Sequence, residues 1–159
     1  MSVEKVKRYF ESFGMQDRVL EFPVSSATVE EAAIAANTEP RRIAKTMSFV
    51  LHDDAPILIV TAGDSKIDNG KFKARFSTKA KMIPFDQVEP LIGHAVGGVC
   101  PFAINEGVRV FLDVSLKRFE TVFPACGSSN SAIELTIEEL QKTSHYEDWI
   151  DVCKGWQAE

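Results

Sequence analysis

Thr46-Met47-Ser48-Phe49-Val50-Leu51, His52-Asp53-Asp54-Ala55 and Pro56-Ile57-Leu58-Ile59-Val60-Thr61 follow one another as a strand, a short polar loop and a second strand. Strands joined this briefly pair antiparallel, because a parallel pair needs a crossover of a dozen residues or more. The hairpin decides the fold class. The segments on either side of it alternate irregularly between helix and strand, so the sheet that includes it is mixed.

Toward the N-terminus, Val3, Val6, Phe10 and Phe13 recur at helical spacing and Gly14 follows as a stop. Val19 to Pro23 reads as a short strand. Thr28-Val29-Glu30-Glu31 has capping-box spacing and opens an alanine-rich helix ending near Asn37. Pro40 starts another helical turn, which delivers Lys45 to the beginning of the Thr46 strand. Toward the C-terminus, Lys66 to Phe76 has helical spacing, with Ile67, Phe72 and Phe76 as core contacts despite Gly70. Asp86 to Leu91 reads as a short helix and Val108 to Val114 as a strand. Val122 to Cys126 and Ala132 to Leu135 are weaker strands. Thr136-Ile137-Glu138-Glu139 repeats the capping-box pattern and starts the last clear helix. Tyr146 to Trp156 is open between a last strand and a partner-binding tail; two tryptophans, costly to leave in water, favour a strand or packed extension. The predicted class is α+β (mixed α/β), one domain over 1–159, with no internal repeat, linker or second unit.

At 159 residues the chain can bury about two thirds of its unfolded surface in one core. A hydrophobic share of 45% with 26% charged residues argues against extended disorder. The net charge of −5 disfavours a partner gripped through many phosphates, so no DNA partner is expected and an RNA would be held at one end. No apolar run approaches the roughly 20 residues of a membrane span, and Met1-Ser2-Val3-Glu4-Lys5 opens no signal-peptide core, which together predict a cytoplasmic protein away from membranes. Cys100, Cys126 and Cys153 are odd in number and lack Cys-x-x-Cys spacing, so they are expected as reduced thiols. His52, His94 and His145 form no metal-ligand pattern, and neither metal nor cofactor is predicted.

Three stretches carry candidate chemistry. Gly97-Gly98-Val99-Cys100-Pro101-Phe102 is a loop in which glycines permit close backbone approach and Pro101 biases Cys100 toward an extended conformation. Arg42-Ile43-Ala44-Lys45-Thr46-Met47-Ser48-Phe49 precedes it, and Phe123-Pro124-Ala125-Cys126-Gly127-Ser128-Ser129-Asn130-Ser131-Ala132-Ile133-Glu134-Leu135-Thr136 follows. In this order and spacing, with Gly63-Asp64 and Lys79-Ala80-Lys81-Met82 between them, the set resembles the YbaK/prolyl-tRNA-synthetase-associated domain family. These are free-standing relatives of the editing domain inserted in bacterial prolyl-tRNA synthetases, and the likeness runs from about Val3 to Leu140.

The resemblance implies a curved mixed β-sheet flanked by helices and a trans-acting aminoacyl-tRNA deacylase, a hydrolase serving translation fidelity. Lys45 matches the family's hallmark lysine, expected to contact the phosphate end of the charged tRNA, a role that suits a compact point charge. Gly97, Gly98 and Pro101 match the Gly-x-x-x-Pro loop, whose backbone donors would stabilise an oxyanion by roughly 3 kcal/mol each. Gly127, Ser128, Ser129 and Asn130 match a second glycine-rich stretch that walls the pocket; as readily, Ser and Asn there are turn formers. Phe22, Phe49, Val99 and Cys100 are expected to converge on the amino-acid pocket and set its specificity.

The catalytic details stay open at this level. Cys100 is a nucleophile, a pocket lining or a packed thiol; a nucleophile needs a base, and no histidine is tied to it in sequence. His94, just before the loop, is a candidate ligand contact. Asp64 and Asp113 each follow a strand and are either a general base for water or a structural cap, with Asp64 suited to capping. The resemblance supplies no protein base, and a ribose hydroxyl or the substrate side chain beside the ester would assist attack by proximity. Ala, Cys or Ser misattached to tRNA for proline, or a similar small residue, are the candidate substrates. A prolyl- or other aminoacyl-tRNA synthetase, or an elongation factor, would help deliver the acceptor end. The second reading keeps the pocket without turnover, as a binding module for an aminoacyl-adenosine end or related small nucleotide.

Overall fold

The sheet that carries the molecule has six strands, and the predicted hairpin lies at its centre. In this computed structural model, which describes residues 2–156, the hairpin is β2 (Ile43–Val50) paired antiparallel with β3 (Pro56–Ala62), from Ala44↔Ala62 to Val50↔Pro56. The strands outside it are β5 (Arg109–Asp113), β6 (Thr121–Pro124), β8 (Leu135–Thr136) and β9 (Asp148–Ile150), giving the order β8-β6-β2-β3-β5-β9. β6 runs parallel to β2, β5 to β3 and β9 to β5, whereas β8 is antiparallel to β6, so the sheet is mixed. Two short pairs flank it: β1 (Leu20–Glu21) with β7 (Ser131–Ala132), and β4 (Lys66–Ile67) with β10 (Cys153–Lys154).

β3 is a continuous apolar run because both faces of the sheet are covered. Leu58, Val60 and Ala62 face one core with Val110 and Leu112 of β5; Ile57 and Ile59 face a second with Phe111. The first core is closed by α1 (Ser2–Glu11) through Val6 and Phe10, α4 (Phe85–Ile92) through Val88 and Ile92, and α5 (Ile137–Ser144) through Leu140. The second takes Phe72 from α3 (Asn69–Phe76). α2 (Val29–Ala36) lays Ala32 and Ala33 on Ile43 and Phe123 in a smaller cluster. The described residues thus form one α+β domain, and none of their helices is long and apolar enough to cross a membrane.

Local chemistry explains the element ends. Both capping boxes form: Thr28 accepts from the Glu31 N–H at 3.1 Å and Thr136 from the Glu139 N–H at 3.0 Å, each glutamate reaching back to the cap. The predicted Lys66 to Phe76 helix is shorter than expected. Lys66 and Ile67 pair with β10 instead, and Asp68 caps the helix by accepting the Lys71 N–H at 3.0 Å. The strand expected from Ala132 to Leu135 is split between two partners, Ala132 pairing with Leu20 and Leu135 with Val122. β2 begins earlier than Thr46 because Ile43 and Ala44 already pair with Phe123 and Pro124, which places Lys45 inside the strand. The C-terminal stretch supplies β9 and β10 rather than a tail.

Candidate functional site

The site lies where the edge of β2 is left open. β2 is bonded to β3 over its whole length but to β6 only at Ile43 and Ala44, after which β6 ends at Pro124. Further along, the same edge is closed again: the Ile83 N–H donates to the Ser48 carbonyl at 3.2 Å, and the Val50 N–H to the Lys81 carbonyl at 2.9 Å. Alternate residues of an antiparallel strand direct both backbone groups to the same side. Since Ser48 and Val50 point outward, Thr46 does too, and its N–H and C=O face the gap.

That gap is a cavity of about 370 Å³, within the range of small-ligand pockets. Ala44 to Ser48 form its floor, and Ser26 to Val29 at the start of α2 form one wall. Met82, Ile83, Phe85 and Val88 line it toward the other end of the open edge, and Val96, Gly97, Val99, Ala125, Ser131 and Ala132 complete the lining, Gly97 next to Ala27. The lining is largely apolar. Lys45 is its only charged member among the described residues, half-buried, with its ammonium donating to the Ser65 carbonyl at 2.6 Å. Burial pushes its pKa below the usual lysine value, against the field of nearby Asp64. The Thr46 hydroxyl is buried without a partner.

The two glycine loops meet. Gly98 packs against the second loop so tightly that a Cβ there would lie 2.5 Å from the Gly127 carbonyl carbon and the Ser128 nitrogen. The Gly98 N–H closes a turn onto the Ala95 carbonyl at 3.0 Å, so it is not an available oxyanion donor as the motif implied. Gly97, at φ +98°, and Val99 line the cavity, and among the described residues neither N–H donates to a backbone carbonyl. Pro101 is buried outside the lining, beside Phe102, whose ring packs tilted against that of Phe10 at 4.8 Å.

Cys100 lies outside the pocket lining, in surroundings that do not suit a nucleophile. It is fully buried beneath the loop, and burial pushes its thiol up to about 12. His94 does lie beside it, with Nε2 at 3.5 Å from Sγ, a neighbour invisible in the sequence. The same Nε2 is 2.7 Å from the Phe102 carbonyl, which only accepts, so Nε2 carries the proton and is not a base for the thiol. Burial holds His94 below the usual histidine range, and its Nδ1 has no partner.

The second loop supports the site rather than lining it. The Ser128 hydroxyl donates to Asn130 Oδ1 at 2.9 Å and accepts from the Ser131 hydroxyl at 2.7 Å. The Ser129 carbonyl accepts the Ser26 N–H at 2.6 Å, and Asn130 exchanges bonds with the Phe22 backbone at 2.7 and 3.0 Å. Those bonds hold the Ser26 to Val29 wall in place, and they account for Phe22, which lies outside the lining. Phe49 is also displaced from its expected place. It bridges to Met82 beyond the closed end of the gap and packs on Phe72 at 5.2 Å in the second core.

Neither candidate aspartate reaches the cavity. Asp64 forms a two-pronged ion pair with Arg118 at 2.6 and 3.0 Å instead of capping a helix. Asp113 is fully buried and accepts the Ser115 and Val152 N–H groups, both at 2.9 Å. Sequence reasoning missed the start of α2 and the apolar rim, where Met82 is 56%, Phe85 79% and Val96 48% exposed. The capping box at Thr28 marked a helix start, but nothing local said that it would face the gap.

The chain is 52% identical over 157 residues to the uncharacterized protein YwhH of Bacillus subtilis, covering 99% of this chain and all of that one. It is 25% identical over 114 residues to an Enterococcus faecalis protein named "Putative Cys-tRNA(Pro)/Cys-tRNA(Cys) deacylase EbsC", covering 71% of this chain and 70% of that one. A solved structure described as "a putative trans-editing enzyme for prolyl tRNA synthetase" superposes with a TM-score of 0.86 at 28% identity, covering 97% of this chain and 98% of the other. Residues 24–143, which include every wall of the cavity, match the aminoacyl-tRNA editing domain, and the chain belongs to that family.

Proposed function

We propose that the protein is a trans-acting aminoacyl-tRNA deacylase that removes a small, wrongly attached amino acid from tRNA in the cytoplasm. One observation carries the reading: a small apolar cavity is lined by a single charged side chain, Lys45, and by the glycine loop at Gly97 and Val99, whose N–H groups donate to no backbone carbonyl among the described residues. The cation suits the terminal phosphate of the acceptor end, and the N–H groups suit the carbonyl oxygen as it gains charge. The cavity admits a small side chain such as that of Ala, Cys or Ser and acts as a second, size-selective sieve, since a synthetic site distinguishes one methylene by only roughly 1–3 kcal/mol.

Water attacks the ester carbonyl, the tetrahedral oxyanion lies against the loop donors, and the ester oxygen leaves with a proton as the ribose hydroxyl. Among the described residues no carboxylate or imidazole lines the cavity, so the neighbouring free ribose hydroxyl is the assigned proton carrier. That same absence favours a second reading, a binding module for the aminoacyl-adenosine end. Deacylation of Ala-, Cys- and Ser-tRNA for proline and of Ser- and Gly-tRNA for alanine separates the two. Turnover of one substrate above the spontaneous rate, lost in Lys45→Ala, is the expected result. No turnover of any by folded protein would overturn the hydrolase in favour of the module. A prolyl-tRNA synthetase or an elongation factor is the proposed delivery partner.

A further inference from the structure

The rim of the cavity is chemically lopsided. Six of the chain's 18 lysines and arginines fall within residues 66–82, against one carboxylate, Asp68, in a chain whose net charge is −5. Lys71 and Arg75 of that group are paired with Asp151 and Asp148. Lys79 and Lys81 are exposed, make no ion pair among the described residues, and lead directly into Met82 at the mouth. The α2 wall carries Glu30 and Glu31, both exposed on the first turn of α2. On the basic side the apolar groups are also bared, above all Phe85. A ring this exposed stabilises no core, and a ring beside lysines is the combination by which single-stranded nucleic acid is held: phosphates on cations, bases stacked on an aromatic face.

We infer that the Lys79-Lys81-Phe85 rim is the landing surface for the single-stranded 3′ end of the tRNA, which crosses the mouth on this side and not over α2. The inference rests on the deacylase reading for the identity of the strand, and extends it to the path and to residues outside the cavity's chemistry. Lys79 and Lys81 meet two backbone phosphates, and Phe85 stacks on a terminal base. The acidic wall repels the strand from the other side, which fixes the direction in which the ester is presented to Gly97 and Val99. A grip of two phosphates and one base is a weak one, and it reconciles an acidic protein with an RNA partner.

The test is fluorescence anisotropy with an uncharged acceptor-stem hairpin ending in single-stranded CCA, and with the same hairpin lacking the terminal adenosine, run beside deacylation kinetics. Lys79→Glu/Lys81→Glu is expected to weaken hairpin binding roughly tenfold at low salt and to reduce the log–log salt slope by about 1.4, the share of two single-strand phosphates. Phe85→Ala is expected to weaken the intact hairpin roughly tenfold and the truncated one not at all, with Phe85→Trp restoring binding. Arg8→Glu/Lys142→Glu, at exposed positions of α1 and α5, serves as the charge-matched control and should bind like the wild type. Wild-type binding in the rim variants, equal effects on polyglutamate, or no hairpin binding by the wild type would each overturn the inference. Unchanged KM in the rim variants with intact turnover would overturn it while leaving the deacylase standing. Rim-dependent hairpin binding without any turnover would overturn the deacylase and leave the rim.

Discussion

Gly98 and Gly127 lie back to back, the Cβ position of one only 2.5 Å from the carbonyl carbon of the other. This contact joins the two glycine loops, one lining the cavity at Gly97 and Val99 and the other anchoring the α2 wall, into a single unit. Gly98→Ala must therefore push backbone against backbone, which no rotamer change relieves. A loss of about 1–3 kcal/mol is expected in denaturant unfolding, together with a fall in kcat/KM from the displaced Gly97 and Val99 donors. Wild-type stability in this variant would show that the loops can separate.

Lys45→Ala is expected to cost roughly a hundredfold in kcat/KM, the scale of removing one charged transition-state or ligand contact. Stability should hold, because the ammonium is half-buried and bonded only to one carbonyl. The pH dependence has a definite sign. Burial lowers the Lys45 pKa, so the cation is lost on the alkaline side at a pH below 10.5. Binding of an acceptor-stem hairpin ending in CCA with a non-hydrolysable amide-linked amino acid, which keeps the terminal phosphate, should weaken as pH rises toward that point and be flat in Lys45→Ala.

Cys100 is held protonated, with its thiol at about 12, and no base stands ready to take the proton. Cys100→Ala should retain deacylation within a few-fold, and iodoacetamide should leave native activity unchanged. Rapid inactivation by the reagent, blocked in Cys100→Ala, would reinstate a thiol mechanism.

Acid should erode stability over two pH windows. His94 is held neutral by burial, so its share of stability is present above 6.5 and is lost as pH falls below that value. Glu139, drawn down from 4.5 to about 2 by its hydrogen bond to Arg18, contributes above 4.5 and loses that contribution as pH falls toward 2. The pair is largely exposed, so its worth is below about 1 kcal/mol. Thermal melts of Glu139→Gln should show a flatter low-pH limb than the wild type.

How much of this was readable depends on the range of the interaction concerned. The hairpin, both capping boxes and the family's ordered motifs are local patterns, and they place β2, β3, α2 and α5 within a few residues. Strand patterning alone does not reveal that the cavity opens at the edge of β2. That opening arises because β6 stops at Pro124 while residues 81–83 return to β2, two long-range events without a local signature. The same ignorance put Phe49 in the pocket, though it lies past the closing bridge to Met82. Cys100 and His94, six residues apart, meet only because the loop folds under itself.

Thr46 shows where function and stability pull apart. Its hydroxyl is buried without a hydrogen-bond partner on the floor of the cavity, beside the outward-facing backbone of the open strand edge. An unsatisfied buried hydroxyl costs about 1–3 kcal/mol, so a fold optimised for stability alone would carry valine here. Thr46→Val keeps the shape and removes the cost, and its melting temperature should rise. If the hydroxyl meets the substrate's ammonium or ester, the same variant should lose roughly tenfold in kcat/KM while Thr46→Ser keeps it. Calorimetry and single-turnover deacylation on the two variants read both effects. A stabilised Thr46→Val with wild-type kinetics would show that the hydroxyl does not touch the substrate, leaving recognition to the Thr46 main chain and Lys45.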